Sequence, residues 1–167
     1  VPVNGSVSAA LGDPAIEVDA RLTGQVSVDG PRVAIADLDL TADLSGDTIP
    51  DGSQTGKFGI KSMAVDQDAQ TLAVEGVSLN ILGLRVTGRA SGEQISDAPV
   101  ITGRLKVSEF SPRELMGTLG IEVPVTADPA VLGKAALDAR FRSAPNRSGL
   151  NGITMQLDDT SITGNVS

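Results

Sequence analysis

The side chains that could do chemistry in this 167-residue chain are few. It has no His, Cys, Tyr or Trp and only three Phe. Structural zinc sites, disulfides, His- or Cys-ligated haem and the Ser-His-Asp or Cys-His pairs are therefore excluded. General acid/base work would fall to carboxylates. Asp158 and Asp159 are adjacent, so in a strand they point to opposite faces, and they read as a turn pair. Asp66 and Asp68 face the same way, but in a polar turn that lacks the Gly and terminal Glu of a calcium loop. Lys134 with Ser143, and Lys57 with Ser53, lack the helical Ser-x-x-Lys spacing that gives such a pair its geometry. No Gly-rich segment has a nucleotide-binding pattern. The Asn-x-Ser sequons at Asn4, Asn146 and Asn165 matter only in a eukaryotic secretory chain. The sequence reads as a non-enzyme that calls for no cofactor and no metal.

Charge and composition narrow the partners. Thirteen basic against twenty-one acidic residues give a net charge of −8, and no Lys/Arg cluster is expected to override it locally. Nucleic acid is not expected as a partner. With 40% apolar and 20% charged residues, the chain has the composition of a folded domain. A compact chain of this length buries roughly 70% of its unfolded surface, here with a core of Val, Leu, Ile and Ala. No stretch approaches the roughly 20 apolar residues of a membrane helix, and no signal peptide opens the chain. The start at Val1 without a Met suggests a segment of something longer.

The dominant signal is alternation with period two, which puts every second side chain on one face of a strand. Ile16, Val18, Ala20, Leu22, Val26 and Val28 keep even parity from Ala15 to Val28. Asp29-Gly30 turns the chain into Val33 and Ile35, and parity then switches to Leu38, Leu40, Ala42 and Leu44. One extra residue near Ala36-Asp37 would do this, which predicts a β-bulge. The polar stretch 46–56 (GDTIPDGSQTG) predicts a flexible loop. Strands follow over Lys57–Val65 and from Ala69 through Val74, Val77, Leu79 and Ile81, with a second parity flip expected at Leu82. Val100–Val107, Ala135–Arg142, Ile153–Leu157 and Ile162–Val166 complete the strands, with turns at Asn146–Gly149 and Asp158-Asp159.

Ser111-Pro112-Arg113-Glu114 is a helix start: Ser111 caps free amides, Pro112 fits the first helical position and Glu114 completes a capping box. It predicts two turns over Pro112–Leu119, with Leu115, Met116 and Leu119 toward the sheet. Asp128-Pro129 predicts a shorter helical turn before Lys134. An apolar-Thr-Gly triplet recurs at Leu22, Val86, Ile101 and Ile162, which suggests a repeated strand type in a curved sheet. Two short helices cannot cover so many one-sided strands. Either a second sheet packs on the first, or the apolar face is an elongated trough.

Phe110-Ser111-Pro112-Arg113-Glu114-Leu115 with Leu119-Gly120-Ile121, then Ala127-Asp128-Pro129-Ala130, then Leu157-Asp158-Asp159-Thr160-Ser161-Ile162-Thr163-Gly164 resemble three segments of the AsmA family of Gram-negative envelope proteins. Gly83-Leu84-Arg85-Val86-Thr87-Gly88 is similar to its strand pattern upstream. The similarity runs from about Gly59 to Ser167. It implies a periplasmic protein of outer-membrane biogenesis, its parent chain anchored in the inner membrane, and, in larger relatives, a long β-sheet groove for phospholipid. No catalytic residue carries over.

The combined expectation is one domain over 1–167, mainly β, with a twisted antiparallel sheet (groove-like or sandwich-like) and one or two short helices. Its apolar groove would take phospholipid or another acyl lipid, with Val18, Leu22, Leu72, Val74, Leu79, Ile81, Leu84 and Val86 as candidate lining residues. The alternative is a scaffold that contacts envelope proteins through an exposed edge strand.

Overall fold

The computed structural model describes residues 1–12, 16–128 and 130–166; Ala15, Pro129 and Ser167 lie outside this set. Ten strands follow one another as an antiparallel meander: β1 Pro2–Leu11, β2 Ile16–Asp29, β3 Arg32–Ser45, β4 Ser53–Asp66, β5 Thr71–Ile81, β6 Leu84–Glu93, β7 Val100–Phe110, β8 Ala135–Ala144, β9 Arg147–Leu157 and β10 Thr160–Val166. Each strand pairs only with its sequence neighbours, and the sheet does not close, so β1 and β10 are free edges. The chain is mainly β, with one short α-helix, α1, over Pro112–Thr118.

Tight turns explain the meander. At Gly30-Pro31, Gly30 supplies a positive φ of 55° between β2 and β3. Ile81 and Leu84 are directly paired, and the two residues between them, Leu82 (φ 51°) and Gly83 (φ 77°), are both left-handed. This is a two-residue hairpin of the type that matches strand twist. The parity flip expected at Leu82 is therefore a chain reversal. β1 has no counterpart in the alternation described from sequence, because Gly5, Ala9 and Ala10 thin the contrast between its faces, although Val3, Val7 and Leu11 keep one parity.

The irregularity predicted near Ala36-Asp37 is present and extends further. Asp37 has φ 48°, and the β2–β3 register shifts beside it, between Thr23 and Gln25. Across β3, β4 and β5 the register runs through unshifted, which aligns Asp37 with Lys61 and Lys61 with Gly76 (φ 64°). On one side of this row the apolar positions are Val33, Ile35, Met63, Val65, Leu72 and Val74. On the other they are Leu38, Leu40, Ile60, Phe58, Val77 and Leu79. All three strands switch parity in one crease, so their apolar side chains stay on the same face.

Among the described residues no second sheet packs on the first. The accessible surface is 10908 Å², whereas a compact monomer of 17.0 kDa would expose about 7,700 Å². Folding hides about 56% of the unfolded surface, short of the roughly 70% expected of a compact chain. Among the described residues the only buried apolar side chain is Ala139. The expected aliphatic core is absent because the sheet is a single layer.

The helix forms as its capping residues dictate, with the Glu114 amide donating to Ser111 Oγ at 3.2 Å. Leu115 and Met116 are half-buried. Leu119, expected toward the sheet, is the exposed C-terminal cap of the helix. Around Asp128 the chain makes turns, with the Ala130 amide donating to Asp128 Oδ1, and residues 130–134 are not helical. The stretch 46–56 divides: Pro50–Gly52 form a 3-10 turn tied back by the Gly46 amide to the Gly52 carbonyl, and Ser53 onward already belongs to β4.

Small residues permit the close packing of strands on the apolar side. A Cβ on Gly103 would stand 2.5 Å from the Arg89 carbonyl oxygen and run into the Phe141 ring. Gly103→Ala should therefore cost about 1–3 kcal/mol in urea denaturation. Gly5→Ala on β1, which meets open space, should stay within about 0.5 kcal/mol of the parent or gain slightly. Equal effects at the two sites would refute this account of the sheet's packing.

Candidate functional site

Pairing register assigns every strand residue to a face. Following it across the sheet gives one side made of Val3, Val7, Ala9 and Leu11 on β1; Ile16 through Val28 at even positions on β2; the creased sets of β3 to β5; Leu84, Val86, Gly88, Ala90 and Gly92 on β6; Ile101, Gly103, Leu105 and Val107 on β7; Leu137, Ala139 and Phe141 on β8; Leu150, Ile153, Met155 and Leu157 on β9; and Ile162 and Val166 on β10. No charged residue falls on this face within the paired register. Its polar positions, Gln54, Ser143, Ser148 and Thr160, lie at or near strand ends.

All eight residues singled out from sequence stand on this face. Val18 and Leu22 on β2 are paired with Leu44 and Leu40. Leu72, Val74, Leu79 and Ile81 on β5 meet Gly92, Ala90, Val86 and Leu84 on β6. The two groups are three strand spacings apart, roughly 14 Å, and Leu38, Leu40, Phe58 and Ile60 bridge them on the same side. These bridging residues were missed as lining candidates; their own alternation was the available signal. Seven of the eight candidates are half-buried by neighbours in the same layer, while Leu79 is 36% exposed. Exposure rises toward the edges, to 60% at Val7 and 61% at Val166.

The opposite face is polar, and its ion pairs are few. Arg104 grips Asp138 in a two-point fork, Nε to Oδ1 at 2.8 Å and Nη2 to Oδ2 at 2.5 Å. The guanidinium bonds hold the Asp138 carboxyl below its ordinary range and raise Arg104 above its own. Asp66 closes the β4–β5 turn by accepting from the Ala69 amide at 2.9 Å and from Arg32 Nε at 2.6 Å, and these bonds lower its pKa.

Asp158 does more than make the β9–β10 turn. Its carboxylate accepts from the amides of Leu132, Gly133 and Lys134 at 2.8, 2.9 and 3.0 Å, and those amide bonds depress its pKa. Arg113 of α1 donates to the Val131 carbonyl in the same segment. The connection from β7 to β8 is thus anchored at one end of the sheet, where Leu115 and Thr118 of α1 border a recess with Gln54 and Leu82, and it supplies no second layer over the apolar face. Among the described residues no helix is long and apolar enough to cross a membrane.

Comparison with known proteins yields no match among family models, curated proteins or solved structures.

The anchoring carboxylate predicts a pH dependence. A depressed folded pKa contributes stability above the unfolded value of about 3.9 and loses it as pH falls through the folded value. Asp158→Asn keeps the left-handed turn but removes the charge. It should lower the urea midpoint at pH 7 and speed hydrogen exchange at Leu132, Gly133 and Lys134. The gap to the parent protein should narrow as pH is taken below about 4. A gap that is constant with pH would rule out the charged anchor.

Proposed function

We propose that this chain is a non-catalytic periplasmic domain of an AsmA-like protein of outer-membrane biogenesis, and that its uncovered apolar face holds phospholipid acyl chains. One observation carries the reading: the uncharged face spans all ten strands, and the described chain supplies no second layer over it, α1 standing only at one end. Stable domains bury such a face against a second layer. A sheet left as one layer calls for an occupant, and acyl chains supply an apolar layer without a partner hydrogen-bond pattern.

The composition of the face favours lipid over a protein partner. Protein interfaces concentrate their energy in Trp, Tyr and Arg anchors seated in pockets. This chain has no Trp or Tyr, and the apolar face offers Val, Leu, Ile, Ala and Gly with Phe58 and Phe141. Such a surface is smooth and tolerant, which suits fluid chains. Its reach suits them as well. The 14-residue strands β2, β3 and β4 extend roughly 46 Å, longer than the roughly 15 Å depth of one acyl leaflet. Each methylene buried there would contribute about 0.8 kcal/mol.

The free edges favour a second reading, a scaffold. Neither β1 (PVNGSVSAAL) nor β10 (TSITGNV) carries a charge that would deter strand addition. An envelope protein could pair with either edge through its backbone.

Native mass spectrometry with organic extraction of co-purifying lipid tests the first reading. Phospholipid is expected on the purified chain and lost in Leu79→Asp, because a charge enters the middle of the face at its half-exposed position. With no packed core behind Leu79, that variant should keep its far-UV circular dichroism. A lipid-free mass after incubation with phospholipid vesicles would transfer the proposal to the scaffold.

A further inference from the structure

Seven of the thirteen basic residues stand on the polar side of β6 to β9: Arg85, Arg89, Arg104, Lys106, Arg140, Arg142 and Arg147. Those four strands carry three acidic residues, Glu93, Glu109 and Asp138. The strands β1 to β5 reverse the balance, with four basic residues and eight acidic ones. The net charge of −8 therefore hides a sheet whose polar face is acidic on one half and basic on the other.

Within the basic half the register sets Arg89 directly opposite Arg104, and Arg104 directly opposite Arg140. Like charges in facing positions repel. Only the middle one is ion-paired, since both bonds of the Asp138 fork go to Arg104. Among the described residues Arg89, Arg140 and Arg142 form no ion pair. Together with Ser91 and Thr102, whose hydroxyls bond each other at 3.1 Å, they border a recess of about 670 Å³. Glu75 stands at its margin as the acidic residue of the lining.

We infer that this recess is an anion site for a compact phosphate-bearing group. Arg89 and Arg140 are two strand spacings apart, about 10 Å, and their long side chains can converge above Arg104 from both sides. A tetrahedral phosphate has oxygens enough to accept from two guanidinium forks at once. The acidic strands beyond Glu75 limit the ligand's extent, because a long polyanion crossing the sheet would meet Asp and Glu on β2 to β5. The site lies on the opposite face from the proposed acyl surface, so one lipid molecule cannot fill both through the sheet. The inference stands independently of the lipid reading.

The test is titration calorimetry of the intact chain at fixed ionic strength, with sodium phosphate and glycerol 3-phosphate as soluble probes. Flotation with phosphatidylglycerol vesicles, against phosphatidylcholine vesicles, is the membrane arm. Arg89→Gln/Arg140→Gln removes the free forks, and Arg21→Gln/Lys57→Gln removes the same charge from the acidic half. Saturable binding that weakens about tenfold or more in the first variant and changes little in the second supports the site. A response confined to soluble phosphate identifies a free phosphoester, and one confined to phosphatidylglycerol vesicles identifies a lipid headgroup. Equal loss in both variants, binding unchanged in the arginine variant, or no saturable binding of any probe would overturn the site. An affinity for single-stranded oligonucleotides that grows with their length would overturn the compact-group assignment.

Discussion

The structure depends on keeping one face of a ten-strand ladder apolar when no second layer protects it. Backbone pairing between sequence neighbours satisfies the amides and carbonyls of each inner strand. Side chains on the apolar face contribute only through neighbours in the same layer, since Ala139 is the one buried apolar residue among those described. Cross-strand pairs such as Leu79 with Val86 and Leu38 with Ile60 are each worth about 0.2–1 kcal/mol. Stability of this kind is spread over nine strand interfaces, with no central nucleus of packing. It leaves the whole face available to whatever shields it from water.

The crease through Asp37, Lys61 and Gly76 follows from the same constraint. A bulge in one strand alone would turn half of its apolar side chains to the polar side. Three neighbouring strands switch together, and the register shifts on either side of them, at β2–β3 and at β5–β6, absorb the extra residues. Gly76 is required there, because a Cβ at its position would stand 2.6 Å from Lys61 Cβ and its φ of 64° strains any L side chain. Bulges bend strands and raise local twist, so the crease concentrates bend and twist along one row of the sheet.

Much of this was legible in the residues. Alternation located β2, β3 and most of the later strands, the Ser111-Pro112 motif located α1, and the parity switch at Ala36-Asp37 located one arm of the crease. The switches at Ile60–Met63 and Val74–Val77 carry the same signal and complete it. At Leu82-Gly83 the local pattern was ambiguous, because a parity flip and a two-residue reversal displace the apolar set alike. β1 was illegible as a strand because Gly5, Ser6, Ser8, Ala9 and Ala10 give little contrast between its faces. Whether the sheet folds over itself was not encoded in any short segment. Alternation specifies a face, and it is silent on what covers that face.

Charge shows the same division between local pattern and assembled surface. Arg89, Arg104 and Arg140 are separated by fifteen and thirty-six residues along the chain, and no linear run of basic residues announces them. Antiparallel pairing converts those separations into adjacent positions on three neighbouring strands. An average charge of −8 then describes neither half of the polar face. The two faces impose opposite demands on a partner: one excludes charge across its whole width, while the other gathers an excess of cations on four strands. A single-layer sheet is the arrangement in which both demands can be met at once, since neither face is consumed in building a core.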